Sequence, residues 1–97
     1  MKLIWLQDAI DDRNAIYDYI DRDSPDSAFL VDERIWNSIS NLTRFPEMGR
    51  PGRRKGTREL VIQGTSYIAA YALRKGRIEI LRIVHAKQRW PRKMPQL

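Results

Sequence analysis

The stretch TRELVIQGTSYIAAYALRKGRIEILRIV, residues 57–84, decides the fold class. It contains three runs rich in β-branched, aromatic and other apolar residues, at 57–63, 66–73 and 77–84. Short turn sequences, Gln63-Gly64-Thr65 and Arg74-Lys75-Gly76, separate these runs. Because strands joined by such short turns pair with their chain neighbours, the pattern predicts an antiparallel meander of three strands.

The beginning of the chain predicts a short strand followed by a helix. Residues 2–6 alternate large apolar side chains, which is typical of a strand. Over 8–22 the apolar residues recur at helical spacing, with aspartates between them. Asp8 is the candidate cap, and the acidic residues crowd the early turns, where the helix dipole favours negative charge.

A second helix is predicted over 25–45. Ser24 is its candidate N-cap, Pro25 suits the first helical position, and Pro46 stops the pattern. Its apolar stripe recurs every three or four residues and comprises Ala28, Val31, Ile35, Ile39 and Leu42. Phe29 and Trp36 lie off this stripe, and we interpret them as a widened core face rather than a docking site.

The order strand, helix, helix and three strands predicts one α+β domain over residues 1–97. In this arrangement (β-α-α-β-β-β), two antiparallel helices pack on a small antiparallel β-sheet. The short first strand is expected to pair with one of the later three, because alone it would bury nothing.

Composition narrows the function classes. The chain has no cysteine and one histidine, so neither a disulfide nor a metal site is predicted, and no cofactor is expected. No apolar run reaches the length of a membrane span. Residues 1–33 hold nine acids and three bases, a balance of −6, whereas residues 34–97 hold three acids and fifteen bases, a balance of +12. The basic second half indicates a polyanion or an acidic protein as partner.

Residues 46–56 form a predicted loop, because three glycines and two prolines interrupt regular structure. The loop and its exit carry a cluster of cations, namely Arg50, Arg53, Arg54, Lys55 and Arg58. A basic, glycine-rich loop can grip phosphates. A solvated loop with one or two salt bridges explains the same residues equally well.

Arg82 interrupts the most apolar strand. Alternation places it on the face of Ile80 and Val84, and a charge inside a strand needs a partner or a cleft. Arg82 therefore either stabilises an anion on the open face of the sheet or pairs with Glu59 or Glu79. The structural pairing is slightly favoured.

His85 ends the same strand, and alternation places it on the face of Leu81 and Ile83. A lone histidine is more often structural or exposed than catalytic, although an imidazole suits acid and base work near neutral pH. One metal-independent reaction fits the residues present, namely attack of an RNA 2′-hydroxyl on the adjacent phosphate. Suitable acid, base and cationic groups are His85, Arg82, Lys87 and Arg58. Candidate stacking residues are Tyr67, Tyr71 and Trp90.

Taken in this order and at this length, the motifs resemble the RelE/ParE superfamily of bacterial toxins from type II toxin–antitoxin modules. The resemblance covers nearly the whole chain. Besides the opening strand and helix pair, it rests on Phe45-Pro46, Gly49-Arg50-Pro51-Gly52, Gly56-Thr57-Arg58-Glu59-Leu60, the strand from Tyr67 to Tyr71, Ile80-Leu81-Arg82-Ile83-Val84-His85 and Trp90-Pro91.

The resemblance implies a cytoplasmic growth inhibitor that a cognate antitoxin neutralises, in a hetero-oligomeric complex. It implies one of two targets, since RelE-like members cut mRNA in the ribosome and ParE-like members poison DNA gyrase. RNA-cleaving members often have Tyr-Arg-Leu-Val-Tyr in the penultimate strand, the arginine being catalytic. Ile68 occupies that place here, in Tyr67-Ile68-Ala69-Ala70-Tyr71. Loss of one such donor costs about 3 kcal/mol of transition-state stabilisation.

The departure at Ile68 favours ParE-like inhibition of gyrase without catalysis. The alternative is a ribosome-dependent mRNA endonuclease with His85 and Arg82 as catalytic residues. A third interpretation is a module that only binds nucleic acid. The residues predicted to contact the target or nucleic acid are Arg50, Arg53, Arg54, Lys55, Arg58, Tyr67, Lys87, Arg89 and Trp90.

Overall fold

The computed structural model describes residues 1–88, 90 and 94. Strand β1 spans Lys2–Trp5, helix α1 Gln7–Asp21 and helix α2 Pro25–Ser40, followed by a 3-10 turn at Asn41–Thr43. The later strands are β2 at Arg50–Pro51, β3 at Arg58–Val61, β4 at Tyr67–Arg74 and β5 at Arg77–His85. The predicted α+β architecture is confirmed, and β2 is a short additional strand within the predicted loop.

The strands form one sheet in the order β1-β5-β4-β3-β2. Strands β3, β4 and β5 form the predicted antiparallel meander. Strand β1 lies at the edge and runs parallel to β5, with Leu3 opposite Ile78, so the sheet is mixed rather than wholly antiparallel. Because both helices and the other strands separate β1 from β5 along the chain, no tight turn dictates their relative direction.

The two turns of the meander lie where the sequence predicts them. At the second, Lys75 and Gly76 both adopt positive φ, 43° and 77°. This pair of left-handed residues is typical of a two-residue hairpin whose twist matches that of the strands. Gly64 also has positive φ, 75°, in the first turn.

The helix ends differ from the prediction in two places. Leu6 rather than Asp8 stands at the N-cap of α1, and Asp8 lies inside the first turn, where the dipole favours it. Helix α2 begins as predicted, with the Ser24 hydroxyl accepting the Ser27 N–H at 3.2 Å. It ends at Ser40 instead of 45, because the chain tightens into the 3-10 turn before Pro46.

The core lies between the helix pair and one face of the sheet. Its buried members on the helices include Ala9, Ile35 and Ile39, and its members on the sheet include Leu60, Ala69, Tyr71, Ile78, Ile80 and Ile83. The expectation for Phe29 and Trp36 is wrong, because both side chains are exposed. Trp36 stacks on Trp5 of β1, with ring centroids 6.3 Å apart.

Tyr71 fastens the loop after α2 to the sheet. Its hydroxyl donates to the Pro46 carbonyl at 2.8 Å and accepts the Gly49 N–H at 2.9 Å. Arg58 donates to the carbonyl oxygens of Gly49 at 2.7 Å and Glu47 at 3.2 Å. The glycine- and proline-rich loop is therefore held at defined backbone groups.

Within the described residues, no helix is long and apolar enough to cross a membrane.

Candidate functional site

Arg82 is bound to an aspartate of the first helix. Its Nε and Nη2 donate to the two carboxylate oxygens of Asp12 at 2.7 and 2.9 Å, and the Ile83 N–H donates to the same carboxylate at 2.9 Å. The hydrogen bond to Asp12 raises the pKa of Arg82 above its ordinary value, although partial burial opposes this shift. The prediction that Arg82 pairs with Glu59 or Glu79 is therefore wrong.

The edge of β5 explains this pairing. Strand β1 pairs with β5 only as far as Ile80, where the Leu6 N–H closes the ladder. Beyond that point the chain turns into α1, and the carboxylate of Asp12 reaches the unpaired edge. The pair joins residues 70 positions apart in the chain, so no local pattern indicates it.

A β-bulge also changes the faces predicted for β5. Ala70 is opposite Arg82 and Tyr71 is opposite Ile80, so Leu81 is an extra residue in the ladder. Because the register shifts there, Arg82 shares a face with Val84 but not with Ile80. The prediction that a single alternation runs through the strand is wrong.

His85 lies opposite Tyr67 at the end of the β4–β5 ladder. The two rings meet edge to face, with centroids 5.4 Å apart and planes at 83°. The His85 Nδ1 accepts the Lys87 N–H at 3.1 Å, and the His85 N–H donates to Gln88 at 3.3 Å. The imidazole thus closes the following turn through Nδ1 and leaves Nε2 for any ligand.

Tyr67 belongs to a small aromatic group that sequence reasoning identified only in part. Burial raises the pKa of Tyr67, and the nearby exposed Tyr19 of α1 raises it further. Tyr19 carried no signal beyond its place in a helical pattern, so its approach to the end of the sheet is a tertiary result.

Arg50 and Arg53 converge on a buried carboxylate that sequence reasoning assigned only to Arg82. The Glu59 side chain is 2% exposed. Its Oε1 accepts from Arg50 Nη2 at 3.1 Å, and its Oε2 accepts the Arg53 N–H at 2.8 Å. The Arg53 guanidinium lies over the Trp90 ring, 4.6 Å from its centroid. The structure therefore brings together three of the predicted binding residues.

The structure places other predicted binding residues elsewhere. Arg58 is bound to loop carbonyls, as described above, and Lys87 is exposed in the turn after β5. Arg54 and Lys55 are exposed at the loop tip, where the Arg54 carbonyl accepts the Thr57 N–H. Arg89 lies outside the described residues.

The position at which the resemblance implies an arginine in RNA-cleaving toxins is apolar and buried. Ile68 is 4% exposed and pairs with Val84 on one side and Val61 on the other. An open pocket of about 750 Å³ lies elsewhere and is lined mainly by apolar residues, including Met1, Phe45, Met48 and Leu73. Neither Arg82 nor His85 lines it. Among the described residues, no group of three or more metal-ligating side chains converges.

Comparison with known proteins adds a family to this geometry. Residues 3–90 match the family described as the ParE toxin of type II toxin–antitoxin systems, parDE. The chain is 40% identical over 90 residues to the putative toxin Y4kP of Sinorhizobium fredii, with 93% of each protein covered. It is 34% identical over 85 residues to toxin RelE2 of Caulobacter vibrioides, covering 88% of this chain and 94% of the relative.

A solved structure shares the fold. It is described as the chromosomal ParDE toxin–antitoxin system from P. aeruginosa, and it superposes with a TM-score of 0.81 at 28% sequence identity. The match covers 88% of this chain and 95% of that one. The resemblance drawn from the sequence motifs is confirmed.

Proposed function

The chain belongs to the ParE toxin family of type II toxin–antitoxin systems, and we propose that it stops growth by binding DNA gyrase without catalysis. The observation that carries this proposal is Ile68. An RNA-cleaving mechanism needs a cation against the crowded phosphate, and a buried isoleucine supplies none.

Two of the cations that could compensate for Ile68 have internal partners. Arg82 is paired with Asp12 through two hydrogen bonds, and Arg58 donates to two loop carbonyls. These contacts hold the fold together, so each side chain already has a structural role that fixes its position. This supports a toxin that inhibits its target by binding and does not cleave RNA.

A cognate antitoxin is the partner that the family implies. We propose that the antitoxin presents acidic side chains to this toxin, in a hetero-oligomeric complex. The balance of +12 over residues 34–97 supports that choice, because opposite potentials speed encounter and fix orientation.

Two assays run in parallel test the proposed target. Purified toxin is added to a gyrase supercoiling and DNA-cleavage reaction, and separately to a translation reaction with end-labelled mRNA, with and without ribosomes. We expect inhibited supercoiling, intact mRNA and reversal by antitoxin. Discrete, ribosome-dependent cuts in the mRNA with unaffected gyrase would overturn the proposal.

The second candidate function is ribosome-dependent mRNA cleavage, and one observation favours it. His85 is held edge-on against Tyr67, and its Nδ1 accepts the Lys87 N–H, so the orientation of the ring is fixed. An oriented imidazole next to a stacking ring suits acid–base work on a nucleotide. The mRNA arm of the same experiment decides between the two.

A further inference from the structure

We infer that Arg50 and Arg53, positioned by the buried carboxylate of Glu59, form a binding site for the phosphodiester backbone of nucleic acid. We call these three residues the arginine platform. The inference goes beyond the proposed function, because it concerns a direct contact with nucleic acid in the absence of gyrase or ribosomes.

Glu59 makes this a preorganised site, because it fixes the positions of the arginine residues, which an exposed cationic loop would leave free to move. It is the acid of β3, it is almost fully buried, and both of its oxygens are used by the two arginine residues. The Arg53 Nε also approaches it at 3.7 Å. A buried carboxylate with such bonds restrains the Arg50 side chain and the Arg53 backbone. One negative charge faces two guanidinium groups, so the platform keeps a net positive charge.

The outer surfaces of both guanidinium groups face solvent. The side chains of Arg50 and Arg53 are 56% and 49% exposed. Each guanidinium carries five N–H donors. Glu59 accepts one from Arg50, at Nη2, and it bonds Arg53 through the backbone N–H, with the Arg53 Nε 3.7 Å away. The remaining donors can form the two parallel hydrogen bonds that make arginine selective for phosphate oxygens.

Two further contacts hold the platform still. The Trp90 ring lies under the Arg53 guanidinium, which fixes its plane by a cation–π interaction. The Gly52 N–H donates to the Thr57 carbonyl at 2.8 Å, and the Thr57 N–H donates back to the Arg54 carbonyl at 3.1 Å. Residues 52–57, which carry Arg53, therefore form a closed turn, and Arg50 is held in β2 opposite Glu59. Little entropy is lost when such a segment binds an anion.

Phosphate fits this site better than the carboxylates of a protein partner. Stable protein–protein contacts have an apolar centre. Met48 and Val61 line a pocket on the Arg50 side of the platform, whereas the Arg53 side continues into further cations. Arg54 and Lys55 follow directly on the same turn and are exposed. Nucleic acid presents anions at regular spacing, so it can meet a row of cations without any apolar contact.

The test is direct binding of labelled oligonucleotides to the full-length toxin, without gyrase or ribosomes. Fluorescence anisotropy is measured with duplex DNA, single-stranded DNA and RNA of one sequence across a salt series. We expect at least one of the three oligonucleotides to bind, and the one that binds identifies the type of nucleic acid that the site recognises. For that oligonucleotide, the double variant R50A/R53A should reduce the slope of log K against log salt by about two units.

Three variants distinguish specific binding at the arginine platform from nonspecific electrostatic attraction to a basic protein. The double variant K2A/R22A removes two exposed cations elsewhere and should leave the slope within about half a unit of wild type. The double variant R50K/R53K keeps the charge but lacks the planar fork, so we expect severalfold weaker binding. Glu59→Gln should also weaken binding, although it raises the net positive charge.

The outcomes against the inference are equally specific. Two results would show nonspecific electrostatic attraction without a specific platform. One is unchanged affinity of R50K/R53K for the oligonucleotide, and the other is a slope change in K2A/R22A equal to that in R50A/R53A. Displacement by poly-glutamate at lower concentration than by oligonucleotide would assign the arginine residues to an acidic protein instead. If Glu59→Gln fails to fold in a thermal melt, the lysine variant still decides the question. Supercoiling assays remain an independent measure of gyrase inhibition.

Discussion

The carboxylate of Asp12 in α1 binds Arg82 of β5 at an edge of the sheet where β1 no longer pairs. This carboxylate accepts hydrogen bonds from the Nε and Nη2 groups of Arg82 and from the adjacent Ile83 N–H, beyond the end of β1. One aspartate therefore neutralises a charge within the sheet, satisfies a backbone donor at its edge and ties the first helix to the last strand. Arg82, a catalytic residue under the mRNA endonuclease alternative, therefore has a structural role in the fold.

The first prediction concerns this tie. Replacing Asp12 with alanine should lower the free energy of unfolding by about 2 kcal/mol, because Arg82 and the Ile83 N–H lose a partner in a largely buried site. Urea denaturation of the purified protein measures the change. Asp18→Ala is the control, since Asp18 is an exposed acid of the same helix. Equal stability of the two variants would contradict the account.

The second prediction concerns alkaline pH. Burial raises the pKa of Tyr71 above its ordinary value of 10.0, so the folded state keeps the proton that donates to Pro46. The unfolded chain releases this proton first as the pH passes about 10. Stability contributed by Tyr71 is therefore complete below that pH and is lost as the pH rises through the higher folded-state pKa.

Urea denaturation between neutral pH and pH 11 tests this sign. The wild-type free energy of unfolding should fall more steeply above pH 10 than that of Tyr71→Phe, which has no phenolic proton to lose. Tyr67→Phe is a useful comparison, because burial and Tyr19 also raise the pKa of Tyr67. Parallel curves for wild type and Tyr71→Phe would show that the pKa of Tyr71 is the same in the folded and unfolded states, which contradicts this prediction.

The third prediction separates two glycines. A Cβ on Gly49 would lie 2.7 Å from the Tyr71 ring and 2.9 Å from the Glu59 carbonyl, so Gly49→Ala should cost about 3 kcal/mol. A Cβ on Gly76 meets nothing within 4 Å, and only its positive φ is strained. Gly76→Ala should therefore cost about 1 kcal/mol. Thermal melts of both variants measure the order, and the reverse order would refute the packing argument.

The fourth prediction concerns His85. Under the proposed gyrase mechanism, His85→Ala should retain growth inhibition and inhibition of supercoiling within about threefold, or less than 1 kcal/mol. The imidazole closes a turn and packs on Tyr67, so the loss is structural and small. A thermal melt verifies the fold of the variant. A folded variant without toxicity would favour the mRNA endonuclease alternative.

Much of the fold is predictable from local patterns. The turn residues before Ser66 and Arg77 delimit the meander, and the cap at Ser24 with Pro25 starts the second helix where it is found. Each of these features depends on residues close together in the chain. The end of α2 was less predictable, because a 3-10 turn preserves part of the apolar spacing while breaking the helical bond pattern.

The candidate site was predictable by residue type but not by partner. Arg50, Arg53 and Trp90 were identified as binding residues, and the structure brings them together. Glu59, which organises them, is predicted from local patterns only as a partner of Arg82. Alternation along β5 could not reveal the bulge at Leu81, because a single extra residue leaves no sequence signal in an apolar run.

The sequence by itself determined the class of elements, their order and the toxin family, because periodicity and turn chemistry act over a few residues. The tertiary structure alone decided that β1 runs parallel to β5, that Asp12 binds Arg82 and that Glu59 joins two arginine residues. These choices depend on which groups packing leaves without a partner. A buried charge or an open strand edge is satisfied by whatever the fold brings near it, however distant in the chain.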